Sequence, residues 1–175
     1  MMDARKLGRT KDHPDTDASC RGGENCGSSA DAQVSHLFRC IAHRLPMRAV
    51  EDIEAVVNRG FAGCAHAQPG GLRQVLLMDV ETLDAMHLRP GDVKENITTR
   101  GLDVRALRPG RRLRIGQALV EITVPCEPCR RMEEIRAGLE KEIRGRRGML
   151  CRVVEGGRIR VGDRIEPLEY ERTGA

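Results

Sequence analysis

Aromatic side chains are nearly absent from this 175-residue chain: there is no tryptophan, and Phe38, Phe61 and Tyr170 make up the entire 2 %. Surfaces that stack nucleic-acid bases rely on such rings. The 30 basic and 26 acidic residues are also mixed rather than gathered in blocks of one sign. Nucleic acid is therefore not expected as a partner, and the core must be built from Leu, Ile, Val and Met. No apolar run approaches the length of a membrane span, and the first residues lack the apolar stretch of a secretory signal, so a cytoplasmic location with no membrane partner is expected. In that compartment the seven cysteines, at 20, 26, 40, 64, 126, 129 and 151, stay reduced. Catalysis, metal binding or burial explains them better than disulfides. A second C-x-x-C, an H-x-x-x-H pair and any internal repeat are also missing.

What is present divides the chain into one domain with tails. Residues 1–35 hold only Leu7 and Val34 from the strongly core-forming set. Such a segment is expected to be a disordered tail, with Cys20 and Cys26 as free thiols within it. The domain is expected over 36–168, followed by a short C-terminal tail at 169–175. A first strand starts near His36, and 51–58 gives another extended segment. Gly60, Gly63 and Pro69-Gly70-Gly71 then mark an irregular loop. Arg73 to Met78 reads as a strand, with Asp79 as the N-cap of a short helix carrying Val80, Leu83 and Met86. In 111–124, alternating apolar residues on either side of Gly116-Gln117 predict a hairpin with a type II′ turn. Segments 149–154 and 158–161, flanking Glu155-Gly156-Gly157, predict a second. Met132, Ile135, Leu139 and Ile143 recur at helical spacing, which predicts one longer helix from about Pro128 to about Arg144, weakened by Gly138. So many short strands favour a mainly β, antiparallel barrel with one or two short helices besides the longer one.

On that reading Cys129 lies in the first turn of the helix, where free N–H groups and the helix dipole favour a thiolate and would depress the thiol pKa. Cys126-Glu127-Pro128-Cys129 leaves several alternatives open. It can be a redox pair, or half of a zinc site completed by residues such as Cys151, Cys64 or His66. It can also be a lone working thiol at Cys129 with Cys126 beside it, or two cysteines that only fill space.

The segment Pro-Cys-Glu-Pro-Cys-Arg-Arg-Met-Glu-Glu at 125–134 resembles the cysteine segment of MOSC domains, named after the C-terminal domain of molybdenum cofactor sulfurases. Further landmarks stand in the same order: Arg73-Gln74-Val75-Leu76-Leu77; Glu95-Asn96-Ile97 with Gly101, Leu107 and Gly110; and Gly156-Gly157 through Val161-Gly162-Asp163. The resemblance covers about residues 36–166. It implies a barrel related to that of pyruvate kinase and places the family's functional thiol at Cys129. That thiol would serve as a sulfur carrier through a persulfide, or as the sulfur ligand of molybdenum in the molybdenum cofactor; zinc is less favoured, and direct binding of pyridoxal phosphate is not expected. Arg73, Glu95, Asn96, His66 and Cys126 are implied to line the cofactor pocket. One departure stands out. Where the family often carries Gly-Asp-x-His, this chain reads Gly63-Cys64-Ala65-His66, so the carboxylate that would orient the histidine is missing and Cys64 is a candidate second thiol. The expected partners are the cofactor or a protein that donates or accepts sulfur. The alternatives are a small cofactor-dependent reductase of N-hydroxylated compounds, fed by an outside electron donor, and a cofactor-binding module without catalysis.

Overall fold

A computed structural model describes residues 31–168. Of the tails expected at 1–35 and 169–175, residues 1–30 and 169–175, with Cys20, Cys26 and Tyr170, lie outside the described residues, whereas residues 31–35 belong to the fold.

The chain is mainly β, with strands β1 (Gln33–Cys40), β2 (Met47–Val50), β3 (Asp52–Val56), β4 (Gly60–Phe61), β5 (Val75–Asp79), β6 (Ile97–Arg100), β7 (Arg112–Ile115), β8 (Ala118–Pro125), β9 (Met149–Glu155), β10 (Gly157–Arg160) and β11 (Ile165–Pro167). Helical turns are α1 (Val80–Ala85), α2 (Met132–Ile135) and α3 (Leu139–Glu142). One sheet has eight strands in the order β11-β7-β8-β9-β5-β6-β1-β2, and the other has three in the order β10-β3-β4. All pairings are antiparallel except β5 with β6. A single bridge, Gln33 to Arg164, brings the start of β1 to the β11 end. Ladder hydrogen bonds do not close the expected barrel; the two sheets together enclose the main core.

β1 begins at Gln33, ahead of the expected start at His36, because Ala32 and Val34 are buried and Val34 exchanges backbone hydrogen bonds with Gly162 and Asp163. β5 is buried on both faces, and the two-residue period of a strand divides its side chains. Val75 and Leu77 enter the main core with Val120, Ile122 and Cys151, whereas Met78 enters a smaller core with Leu83, Met86, Met132, Leu139 and Ile143. At its end the Asp79 carboxylate accepts from the Thr82 N–H at 2.8 Å, the expected N-cap of α1. Such a cap stabilises a helix by about 1 kcal/mol.

The β7–β8 hairpin turns at Gly116-Gln117 as expected, with positive φ at Gly116 only, which suits a turn of the II′ kind. The second expected hairpin does not form. β9 is already paired on both edges, with β8 and β5, so after Gly156 the chain crosses to the other sheet and β10 pairs with β3. A Cβ at Gly156 would stand 2.8 Å from the Ala55 carbonyl oxygen, so glycine permits the crossing.

The long helix expected over 128–144 is corrected as well. Its apolar residues Met132, Leu139 and Ile143 are fully buried, but the segment is two single turns separated by extended Arg136 and by Gly138 at φ 82°. The Glu133 carboxylate caps the second turn, accepting from Gly138 N–H at 2.7 Å and Glu140 N–H at 2.9 Å, and these bonds hold its pKa below the usual carboxylate value. Capping by a side chain from the first turn replaces the continuous ladder.

Candidate functional site

β8 delivers Cys126 and the following loop delivers Cys129. Cys126 N–H donates to the Gly148 carbonyl at 3.0 Å, and the Cys129 carbonyl accepts from Met132 N–H at 2.8 Å. Cys129 thus stands three residues ahead of a four-residue helical turn, not inside a long helix. A single turn has little of the aligned dipole on which the sequence argument relied. Positive charge near its sulfur comes from a side chain: Arg147 Nη1 lies 4.0 Å from Cys129 Sγ.

That arginine ties the site together. Its Nη1 donates to the Glu127 carbonyl at 2.8 Å and its Nη2 to the Val93 carbonyl at 3.3 Å, joining the cysteine loop to the segment before β6. Its Nε is buried without a hydrogen-bond partner. Around it opens a cleft of about 280 Å³, lined by His66, Arg73, Asn96, Cys126 and Cys129 together with Lys94, Glu127, Arg131 and Arg147. Four cations against one carboxylate give the lining a positive balance, which suits an anion.

The residues expected at the pocket behave differently from one another. Arg73 is exposed in the cleft. His66 is half-buried, its ring 6.0 Å from that of His43, and its pKa is pushed down by burial first, then by His43 and the cations Arg131, Lys94 and Arg147. Asn96 lines the cleft, but its amide is engaged in the fold: Oδ1 accepts from Leu76 N–H at 3.1 Å and Nδ2 donates to the Phe38 carbonyl at 3.3 Å. It positions β5 and β1 rather than offering free hydrogen bonds. Burial raises the Cys126 thiol pKa, with Arg147 and Arg73 offsetting part of the rise. Among the five described cysteines only Cys129 is exposed.

Cys64 is buried, with Asn96 Nδ2 3.5 Å from its sulfur, and does not line the cleft. Cys151, suggested above as a zinc ligand, is wholly buried in the main core, and burial pushes its pKa up strongly. No group of three His, Cys, Asp or Glu side chains suited to a metal occurs among the described residues.

Glu95 is a correction: it is fully buried and does not line the cleft. Its Oε1 accepts from Gly91 N–H at 2.5 Å and Thr98 Oγ1 at 2.9 Å, while Oε2 has no partner. Burial raises its pKa above the usual carboxylate value despite those bonds. The folded protein therefore holds this proton more tightly than the unfolded chain, and the stability so gained is present at acid pH and lost as pH rises past about 4.3 and through the raised folded value. Glu95→Gln should flatten the acid-to-neutral slope of Tm relative to the wild type. Parallel Tm curves for the two proteins would overturn this account.

Lys94 and Arg147 escaped the sequence reading. Isolated cations carry no periodic signal, and Arg147 reaches Cys129 across eighteen positions of chain.

Comparison with known proteins agrees with the geometry. No curated protein matches the chain. Among solved structures, YuaD from Bacillus subtilis superposes with a TM-score of 0.68 at 18 % identity, covering 80 % of this chain and 97 % of that one. YiiM from Geobacillus stearothermophilus gives a TM-score of 0.68 at 18 % identity, over 81 % of this chain and 77 % of that one. YiiM from Escherichia coli gives 0.59 at 18 % identity, over 79 % and 69 %. At such identities these likenesses establish the fold. The MOSC domain model matches residues 71–166, more than half of the 175 residues and the stretch that supplies every lining residue of the cleft except His66, and on that match the chain belongs to the MOSC domain family.

Proposed function

We propose that Cys129 is a sulfur-handling thiolate that carries sulfane sulfur, or binds the metal of a molybdenum–pterin cofactor, through the same atom. The supporting observation is the one exposed thiol among the described residues, at a cleft rich in cations. The residues fit such a cofactor: a thiolate is a soft donor suited to a metal already bound by sulfur, and Arg147 keeps a buried Nε without a partner beside it. Cys129 would hold the metal, and Arg73, Lys94, Arg131 and Arg147 the anionic groups. When bound, the cofactor supplies oxo- and sulfur-transfer chemistry at its metal. For the carrier role the cytoplasm, where thiols stay reduced, is the fitting compartment. There the Cys129 thiolate attacks the outer sulfur of a donor persulfide; one S–S bond forms as another breaks, and the donor leaves as a thiolate.

Intact-mass and elemental analysis of protein purified gently from its own host tests the reading. Molybdenum, or a mass gain of one sulfur, should be found in wild type and be missing from Cys129→Ser. Retention of either by the variant would sink the proposal.

Arg147 should matter in a graded way. Replacing it with Gln removes a cation near the sulfur and two loop hydrogen bonds, and should slow alkylation of Cys129 at fixed pH by about 2–5-fold, the scale of a partly exposed charge interaction. Arg147→Lys should restore part of the rate. Unchanged rates in both variants would show that the guanidinium serves only the fold.

A further inference from the structure

The cleft at Cys129 continues beyond Lys94 and Arg131. Both side chains also line a neighbouring cleft of about 790 Å³, bounded by Phe38, Met132, the loop around Arg44 and the segment 87–92. Its lining is basic: Arg44, Arg89, Lys94, Arg131 and Arg136 against Asp92 and Glu134. Arg89 pairs with Asp92 and Arg136 with Glu142. Arg44, Lys94 and Arg131 have no carboxylate within ion-pair distance among the described residues.

Apolar side chains stand out beside this charge. Ile41 and Leu45, in the loop after β1, are 46 % and 51 % exposed, and Ile135 of α2, part of the cleft lining, is 36 % exposed. Lys94 Nζ donates to the Leu45 carbonyl at 3.0 Å, so the apolar loop is fastened to a cation shared by both clefts. A free anion within the cleft would leave Ile41 and Leu45 wet. Ile41 and Leu45 are not in the cleft lining but in the loop whose Arg44, Pro46 and Met47 are, so a polypeptide that crosses the cleft and continues over that loop would cover them while meeting the unpaired cations, the mixed apolar and charged character of a protein interface.

We infer that the joined clefts dock an acidic polypeptide segment of a partner protein that presents a cysteine to Cys129. The inference rests on the sulfur-handling reading and names its partner. In the exchange, the Cys129 thiolate attacks the outer sulfur of the partner's persulfide and the partner cysteine leaves as a thiolate; the reverse step delivers the sulfur, and no external oxidant or reductant is needed.

Two synthetic peptides test this, each with one cysteine activated as an aryl disulfide and one leucine. One is rich in Asp and Glu and the other in Lys. At low salt the acidic peptide should form a mixed disulfide with Cys129 about 10-fold faster or more, and the preference should shrink as salt is raised. Arg44→Glu with Arg89→Glu should abolish that preference, and Ile41→Ser with Leu45→Ser should slow both peptides. Labelling by neutral iodoacetamide should be unchanged in all four substitutions. Equal rates for the two peptides, or a preference that survives the charge reversals, would overturn the docking. If a small dianionic aromatic disulfide matches the acidic peptide and ignores the Ile41 and Leu45 changes, the occupant is a free small anion and the docking is again overturned. If iodoacetamide fails to label Cys129 at all, the functional reading falls separately; fluorescence polarisation of the same peptides then decides the docking, with no preference for the acidic one counting against it.

Discussion

Cys129→Ser should take up no sulfur from a small persulfide donor and lose iodoacetamide labelling at the cleft, whereas Cys126→Ser should keep both. The contrast follows from where the thiols stand. Cys40, Cys64, Cys126 and Cys151 are buried, and Cys129 is exposed. Burial raises the Cys126 pKa, with Arg147 and Arg73 opposing it, and raises those of Cys40 and Cys151. Only the thiolate attacks, and each unit of upward shift removes about tenfold of it near neutral pH. Labelling within the described domain should therefore fall at least ~10-fold in Cys129→Ser and change little in Cys126→Ser. The experiment belongs in a Cys20→Ser, Cys26→Ser background, with the labelled peptide identified by mass, because those two residues lie outside the described fold. Strong labelling of Cys126 in the Cys129→Ser protein would instead mark the two sulfurs as an exchanging pair and revive the redox reading of the C-x-x-C segment.

Strand-level features were legible where the signal was local. The β7–β8 hairpin is written in alternating residues around Gly116-Gln117, and the start of α1 in Asp79, because a turn and a cap each involve residues four or fewer apart. The break after Ile135 was not legible. The spacing of Met132, Leu139 and Ile143 marks burial correctly, yet periodicity cannot show that the Glu133 carboxylate will replace the backbone ladder across Gly138. The β9–β10 hairpin failed for a similar reason: both edges of β9 are taken by strands distant in sequence. At the site, motif resemblance brought Arg73, His66, Asn96, Cys126 and Cys129 to one cleft. It misassigned Glu95, whose neighbour Lys94 is the one that reaches the cleft: the backbone turns at Lys94, φ 69°, and the Glu95 carboxylate is held inside the fold by Gly91 N–H and Thr98 Oγ1. The helix-dipole argument for Cys129 fails with the helix, and Arg147 takes its place as the nearby charge.

The stability of the domain and the geometry of the site meet at Gly148, and Gly148→Ala should show it. Gly148 has φ +81°, and a Cβ there would overlap the Leu77 carbonyl oxygen and stand 3.3 Å from Met78 Sδ. The left-handed backbone adds strain for alanine, and the overlap is with the backbone of β5 in the centre of the eight-stranded sheet, where Leu77 pairs with Met149. The expected cost is about 3–5 kcal/mol, or a fall in Tm of roughly 10–20 °C for a domain of this size. Gly145→Ala is the control. It too has positive φ, 72°, but a Cβ there meets nothing within 4 Å, so it should cost only about 1–2 kcal/mol. Equal losses for the two would assign the effect to backbone strain and remove the packing argument. The site should report the same event: the Gly148 carbonyl accepts from Cys126 N–H, and its neighbour Arg147 holds the Cys129 loop. Moving the start of β9 away from Leu77 displaces both, so adding Arg147→Gln to Gly148→Ala should slow Cys129 alkylation less than Arg147→Gln does alone, the non-additivity expected of residues acting through one contact.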